Sequence, residues 1–223
     1  MKPTLYYAVN TCALASHIAL EEAGGDVDYV RLDLTKGENL TPEYLKKNPK
    51  GRVPALATDR GYLTESPAIL AWVAQTWPQA KLAPLDDPWA LAQVNSFNIF
   101  LSGTLHGIGY AGVFKSSRFA DGDAAQAAVK AKALQSVKAS RDLIESKLRD
   151  ESWVHGAAYT TSDAYLAVLF GWLPHTGADL GTFPKIADLA KRVLLRPAAQ
   201  RAVQAQKDPA QHVVASARVV GQN

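Results

Sequence analysis

A single cysteine, Cys12, stands among 223 residues, and it falls where a strand-like run gives way to a helix-like one. The amino end of a helix carries unpaired backbone N–H groups and favours a thiolate over a thiol. Cys12 is therefore read as reactive, or as the holder of another thiolate nearby; the competing reading is a small buried hydrophobe. Tyr7, shortly upstream, fills a core position as a strand residue or serves catalysis. Arg52-Val53-Pro54 precedes a strand, so Pro54 either follows a cis bond that exposes backbone to an extended ligand or simply starts the strand. Glu65-Ser66 stands directly before a helix: the amides and the Ser66 hydroxyl suit a carboxylate, and Glu65 suits an ammonium group. That pair fits the zwitterionic end of an amino acid, and a plain helix cap fits it equally.

Other residues read differently. Thr160 and Asp163 have the spacing of a reciprocal helix cap and are assigned to folding. His106, Trp172 and His175 are open between lining a cleft and structural packing. No His, Asp or Glu pair has metal-ligand spacing, and no glycine-rich phosphate loop occurs, so no metal is expected. One cysteine excludes intramolecular disulfides, a cysteine-based zinc site and a two-cysteine redox motif.

These residues need a scaffold. Residues 4 to 9 read as a strand, 12 to 23 as a helix closed by Gly24-Gly25, and 27 to 32 as a second strand. A short helix from Thr41-Pro42, strands at 54 to 58 and 62 to 64, and a helix from about 67 to 77 complete a βαβαββα order. Pro78, Pro84 and Pro88 mark a linker over residues 79–88, which places one domain at 1–78 and a second at 89–223. In the second, Val94, Phe97, Leu101, Leu105 and Ile108 form one helical stripe, and Leu134, Val137, Ile144 and Leu148 another. Residues 163 to 173 are apolar nearly all round, as the centre of a bundle should be. Ile186, Leu189 and Val193 mark a further helix, which Pro197 should end or kink.

The 48% hydrophobic content supports a full core, and a net charge of +3 without a dense basic block argues against nucleic acid. The start lacks an apolar signal segment and no run reaches the roughly 20 residues of a membrane span, so a cytoplasmic protein without membrane association is expected.

Taken together, the chain resembles the cytosolic glutathione transferases, most nearly the bacterial beta class. The resemblance rests on Leu5-Tyr6-Tyr7 through Cys12 to His17-Ile18-Ala19-Leu20, on Asn48 to Leu56 with Val53-Pro54, on Leu63-Thr64-Glu65-Ser66 and on Thr160 to Tyr165. It implies a thioredoxin-like α/β domain followed by an all-α bundle, a homodimer, and glutathione as co-substrate for conjugation to a small hydrophobic electrophile. It further implies Cys12 beside the glutathione sulfur with Thr11 as a hydroxyl donor, and Val53 as backbone partner after Arg52, with Pro54 cis. Glu65 and Ser66 would hold the γ-glutamyl end, Lys36 the glycine carboxylate, and His106, Tyr110, Trp172 and His175 the acceptor pocket. The alternatives are a glutathione-dependent thiol or disulfide reductase using Cys12, and a non-catalytic adaptor with the same fold.

Overall fold

The computed structural model describes residues 2–150 and 152–207. Two compact units divide it, one running to Leu85 and including residues 194–207, the other spanning Asp86–Val193.

In the first unit, β1 (Thr4–Tyr7) pairs in parallel with β2 (Asp28–Arg31) and antiparallel with β3 (Ala55–Thr58), which pairs antiparallel with β4 (Gly61–Thr64). The sheet order is β2-β1-β3-β4. Leu5 sits opposite Leu56, and both are buried with Tyr7, because alternate residues of a strand share one face. Helix α1 (Ala13–Ala23) packs on α3 (Ser66–Thr76), burying Ile18, Leu20, Ile69 and Leu70 completely. Each such side chain contributes about 1.5–3 kcal/mol through removal from water. Gly24 closes α1 in the left-handed conformation, and Gly25 leaves room for the Trp77 ring, which a Cβ would meet at 2.7 Å. Short α2 (Pro42–Lys47) starts at Thr41, whose side chain accepts from the Tyr44 amide. The βαβαββα order is that of a thioredoxin-like domain.

The expected linker at 79–88 assigned everything downstream, residues 89–223, to one helical domain. Instead, α8 (Pro184–Leu194) ends before Pro197, and Pro197 opens a new helix, α9 (Pro197–Lys207), which belongs with the first unit. The contacts that hold it come from far along the chain: Ala198, Ala199 and Ala202 are buried where α9 packs on α1, Arg196 forms a bidentate pair with Glu22, Arg201 pairs with Glu21, and the Tyr7 hydroxyl donates to the Ala205 carbonyl at 3.5 Å.

The second unit is helical. Asp87 caps α4 (Pro88–Phe100) by accepting from the Trp89 and Ala90 amides. The same helix continues through wide π-type turns over Leu101–Tyr110 into α5 (Ala111–Phe114). These turns change the expected stripe. A π-type turn inserts about one residue and rotates the following face, so Leu101 and Leu105 are buried as expected, whereas Ile108 is exposed and Gly109, Tyr110 and Gly112 turn inward. The partner helix α6 (Asp123–Lys147) buries Ala133, Val137 and Ile144 against this bent segment. Every residue of α7 (Thr161–Phe170) is buried. Thr160 and Asp163 cap it: the Thr160 amide donates to Asp163 Oδ2 at 2.7 Å, and the Thr160 hydroxyl accepts from the Ser162 amide. Among the described residues no helix is long and apolar enough to cross a membrane.

Candidate functional site

Cys12 lies at the start of α1, where Thr11 rather than Cys12 provides the cap, its Oγ1 accepting from the Ala13 amide at 3.3 Å. The Cys12 Sγ lies 3.9 Å from the carbonyl oxygen of Val53 and carries the S–H toward it. The Val53–Pro54 peptide bond is cis, and the preceding carbonyl of Arg52 accepts from Tyr44 Oη at 2.7 Å and Asn48 Nδ2 at 2.6 Å. Two side chains thus fix the loop that presents Val53. Glu65 adopts a φ of 73°, a conformation non-glycine residues rarely take, immediately before α3. That turn places Ser66, nearly fully buried, beside the Cys12 thiol, while Glu65 stays exposed.

The structure therefore brings Cys12, Val53, Glu65 and Ser66 together. Burial pushes the Cys12 thiol up to about 11, and the Ser66 hydroxyl and local backbone only partly offset this. Desolvation of the anion outweighs the helix end. Near neutral pH Cys12 is a hydrogen-bond donor, not a thiolate.

Tyr7 is fully buried, its ring set edge-on to His17 at 5.2 Å, and its hydroxyl donates to the Ala205 carbonyl. The Thr11 hydroxyl donates to the Ala8 carbonyl at 2.7 Å. Arg52 contributes its carbonyl to the loop while its side chain stays in solvent. Lys36 is exposed in the Leu34–Lys36 turn, 3.7 Å from the Asp33 carboxylate.

In the second unit, Trp172 is the hub of an aromatic group. His106 lies 5.0 Å from it, Tyr110 5.3 Å and Phe114 6.2 Å, while His175 meets Phe114 at 6.4 Å. Tyr110 is fully buried and backs the group, whereas Phe114 is partly exposed. Phe114 escaped the sequence reading because only the widened turns bring it level with Trp172. Lys50 also escaped: its Nζ lies 2.5 Å from Glu65 Oε1 and 2.7 Å from Thr64 Oγ1, a pairing between residues far apart in sequence that no spacing rule reveals. Among the described residues no group of three or more His, Cys, Asp or Glu side chains is arranged to hold a metal ion.

Comparison with known proteins decides the family. Residues 1–75 match the glutathione S-transferase N-terminal domain, and residues 106–197 match the C-terminal domain. Glutathione S-transferase GstA of Escherichia coli O157:H7 is 34% identical over 206 residues, covering 91% of this chain and 98% of its own. This chain belongs to the glutathione S-transferase family. Among solved structures, a glutathione transferase homologue from Sulfitobacter with bound glutathione is similar at 34% identity and a TM-score of 0.84, covering 94% of this chain and 99% of the other. The bacterial beta-class enzyme of Sphingomonas chungbukensis is similar at 33% identity and a TM-score of 0.80, covering 91% and 98%. As a glutathione transferase, the chain carries its Cys12 group wholly within the matched N-terminal domain and its Trp172 group within the C-terminal one.

Proposed function

We propose that this glutathione transferase holds glutathione along Val53, Glu65 and Ser66, with the ligand sulfur beside Cys12, and conjugates it to small hydrophobic electrophiles. The observation that carries this reading is the meeting of Cys12, Val53 and Ser66 at the start of α1 and α3. The Val53 backbone pairs with the extended cysteinyl unit, Glu65 accepts the γ-glutamyl ammonium, and Ser66 with the first amides of α3 receives the α-carboxylate. Lys36, exposed on its turn, reaches the glycine carboxylate. The electrophile is received by the aromatic group of His106, Trp172, Phe114 and His175, with Tyr110 behind it.

The chemistry asked of the site is modest. A free thiol near a pKa of about 8.5 is only a few per cent ionised at neutral pH, and lowering it by about two units requires roughly 2.7 kcal/mol. A protonated Cys12 serves this as an S–H donor to the bound sulfur anion, where a second thiolate would repel it. The same protonation disfavours the reductase alternative, because thiol–disulfide exchange starts from a thiolate attacking a disulfide. The working form is a homodimer in the cytoplasm.

The test is Cys12→Ala assayed two ways. Conjugation of an aryl halide should survive within about tenfold, the scale of one neutral hydrogen bond, while exchange with a glutathionylated substrate, if present in the parent, should vanish. Failure of the parent protein to conjugate and to bind immobilised glutathione would discard the reading.

A further inference from the structure

Resting on the glutathione reading, we infer that Lys50 is a positioning residue for the γ-glutamyl end. It engages Glu65 through one carboxylate oxygen and leaves the other for the ligand ammonium. Glu65 is an exposed side chain at 62% of its free surface, and such a chain alone samples many rotamers. Here its Oε1 is tied to Lys50 Nζ at 2.5 Å, and the same ammonium bonds Thr64 Oγ1 at 2.7 Å, so Lys50 grips two successive residues of the turn. Among the described residues, Oε2 has no such bond.

Lys50 is itself held. Its amide donates to Asn48 Oδ1 at 3.2 Å, and the Asn48 side chain, 1% exposed, donates to the Arg52 carbonyl. The Gly51 amide donates to the Asn48 carbonyl at 2.9 Å, and Gly51 takes a φ of 59° with Leu40 at 2.9 Å from where a Cβ would stand. Any other residue at 51 would strain the turn and strike Leu40. The loop therefore presents two things from one rigid frame: the Val53 backbone and the Lys50 ammonium. A ligand extended between Val53 and Glu65 meets both ends of that frame at fixed separation.

A carboxylate accepts several hydrogen bonds, so Lys50 and the ligand ammonium share Glu65 without exclusion. The lysine also offsets part of the charge of Glu65. Because both groups are exposed, the effect is moderate and weakens with salt.

The experiment is a double-mutant cycle read by steady-state kinetics in glutathione and by calorimetric titration of glutathione. Lys50→Met should raise KM and Kd for glutathione about fivefold with kcat within about twofold, the scale of an exposed charge pair. Lys50→Arg should recover most of the loss, since it can still bridge Glu65 and Thr64. On a Glu65→Ala background, Lys50→Met should add nothing, because nothing is left to position. Unchanged or tighter binding by Lys50→Met, or a full effect persisting without Glu65, overturns the role of Lys50 while leaving the glutathione reading intact. Loss of that reading shows differently: the parent gives no titration heat, and Glu65→Ala changes nothing.

Discussion

The two groups of site residues are built by opposite means. Around Cys12 the positions come from backbone: a cap at Thr11, a loop pinned by Tyr44 and Asn48, and a turn at Glu65 with a φ of 73°. Around Trp172 they come from packing, through a helix widened over Leu101–Tyr110 and glycines that let it approach α6. Backbone-built sites suit a ligand that never changes, whereas packed aromatic surfaces re-form with small changes of side chain. On the proposed reading, the difference separates recognition of the thiol substrate from choice of the electrophile.

The largest effect should come from acid, through the core of the first unit. His17 is fully buried, stacked on Tyr29 at 4.0 Å, with neither ring nitrogen hydrogen-bonded among the described residues and its Nε2 3.9 Å from the Glu21 carboxylate. Burial pushes it down to about 4, against an ordinary value of 6.5. A histidine with a depressed folded value binds a proton in the unfolded chain first, so its neutral burial is fully stabilising above about 6.5 and that stability drains as pH falls toward 4. At about 1.4 kcal/mol per pH unit, the loss across that window is about 3 kcal/mol. Denaturant unfolding of the parent and of His17→Phe between pH 7 and 4 checks it as the difference between their slopes, because buried Asp163, pushed up to about 6, acts in the opposite direction over the same window. Next in size, Glu65→Ala should weaken glutathione about a hundredfold, the scale of about 2–3 kcal/mol for lost charge-assisted bonds. Its thermal midpoint should hold, since Glu65 is exposed. A coupled fall in midpoint would show that the turn, rather than the ligand contact, had been removed.

Much of the backbone-built side was legible in the sequence, because its signals are local. Strand alternation around Leu5 and Tyr7, the Gly24-Gly25 stop and Thr41-Pro42 each act within a few residues, as does the Thr160 to Asp163 spacing in the helical unit. What was not legible depends on sums over distant neighbours. The upward push on the Cys12 thiol opposes the helix end because desolvation is set by everything packed around the sulfur. The return of α9 requires Glu21 to meet Arg201, 180 residues away, and Lys50 meets Glu65 only across a folded turn. The wide turns escaped for another reason: Ile108 continues a perfect apolar spacing, and only the glycines at 109 and 112, with room for no side chain, betray that the face has rotated.

Those glycines give the third prediction. A Cβ on Gly109 would stand 2.6 Å from Val137 Cγ2, and one on Gly112 would stand 2.6 Å from the Ala133 Cβ. Gly109→Ala should cost about 1–3 kcal/mol through overpacking and lower the midpoint accordingly, with glutathione binding unmoved. The smallest effect is the sharpest test of the division. Phe114 is 41% exposed and stacks on buried Tyr110 at 5.6 Å while facing Trp172 edge-on. Phe114→Ala should raise KM for an aromatic electrophile by about three- to tenfold, matching about 1 kcal/mol for one aromatic contact, and leave Kd for glutathione within twofold. An aliphatic electrophile should lose less, since it lacks the ring that pairs edge to face with Phe114. Equal losses for both electrophiles, or a matching loss for glutathione, would mean that packing in the helical unit governs both substrates and that the two building principles are not separate.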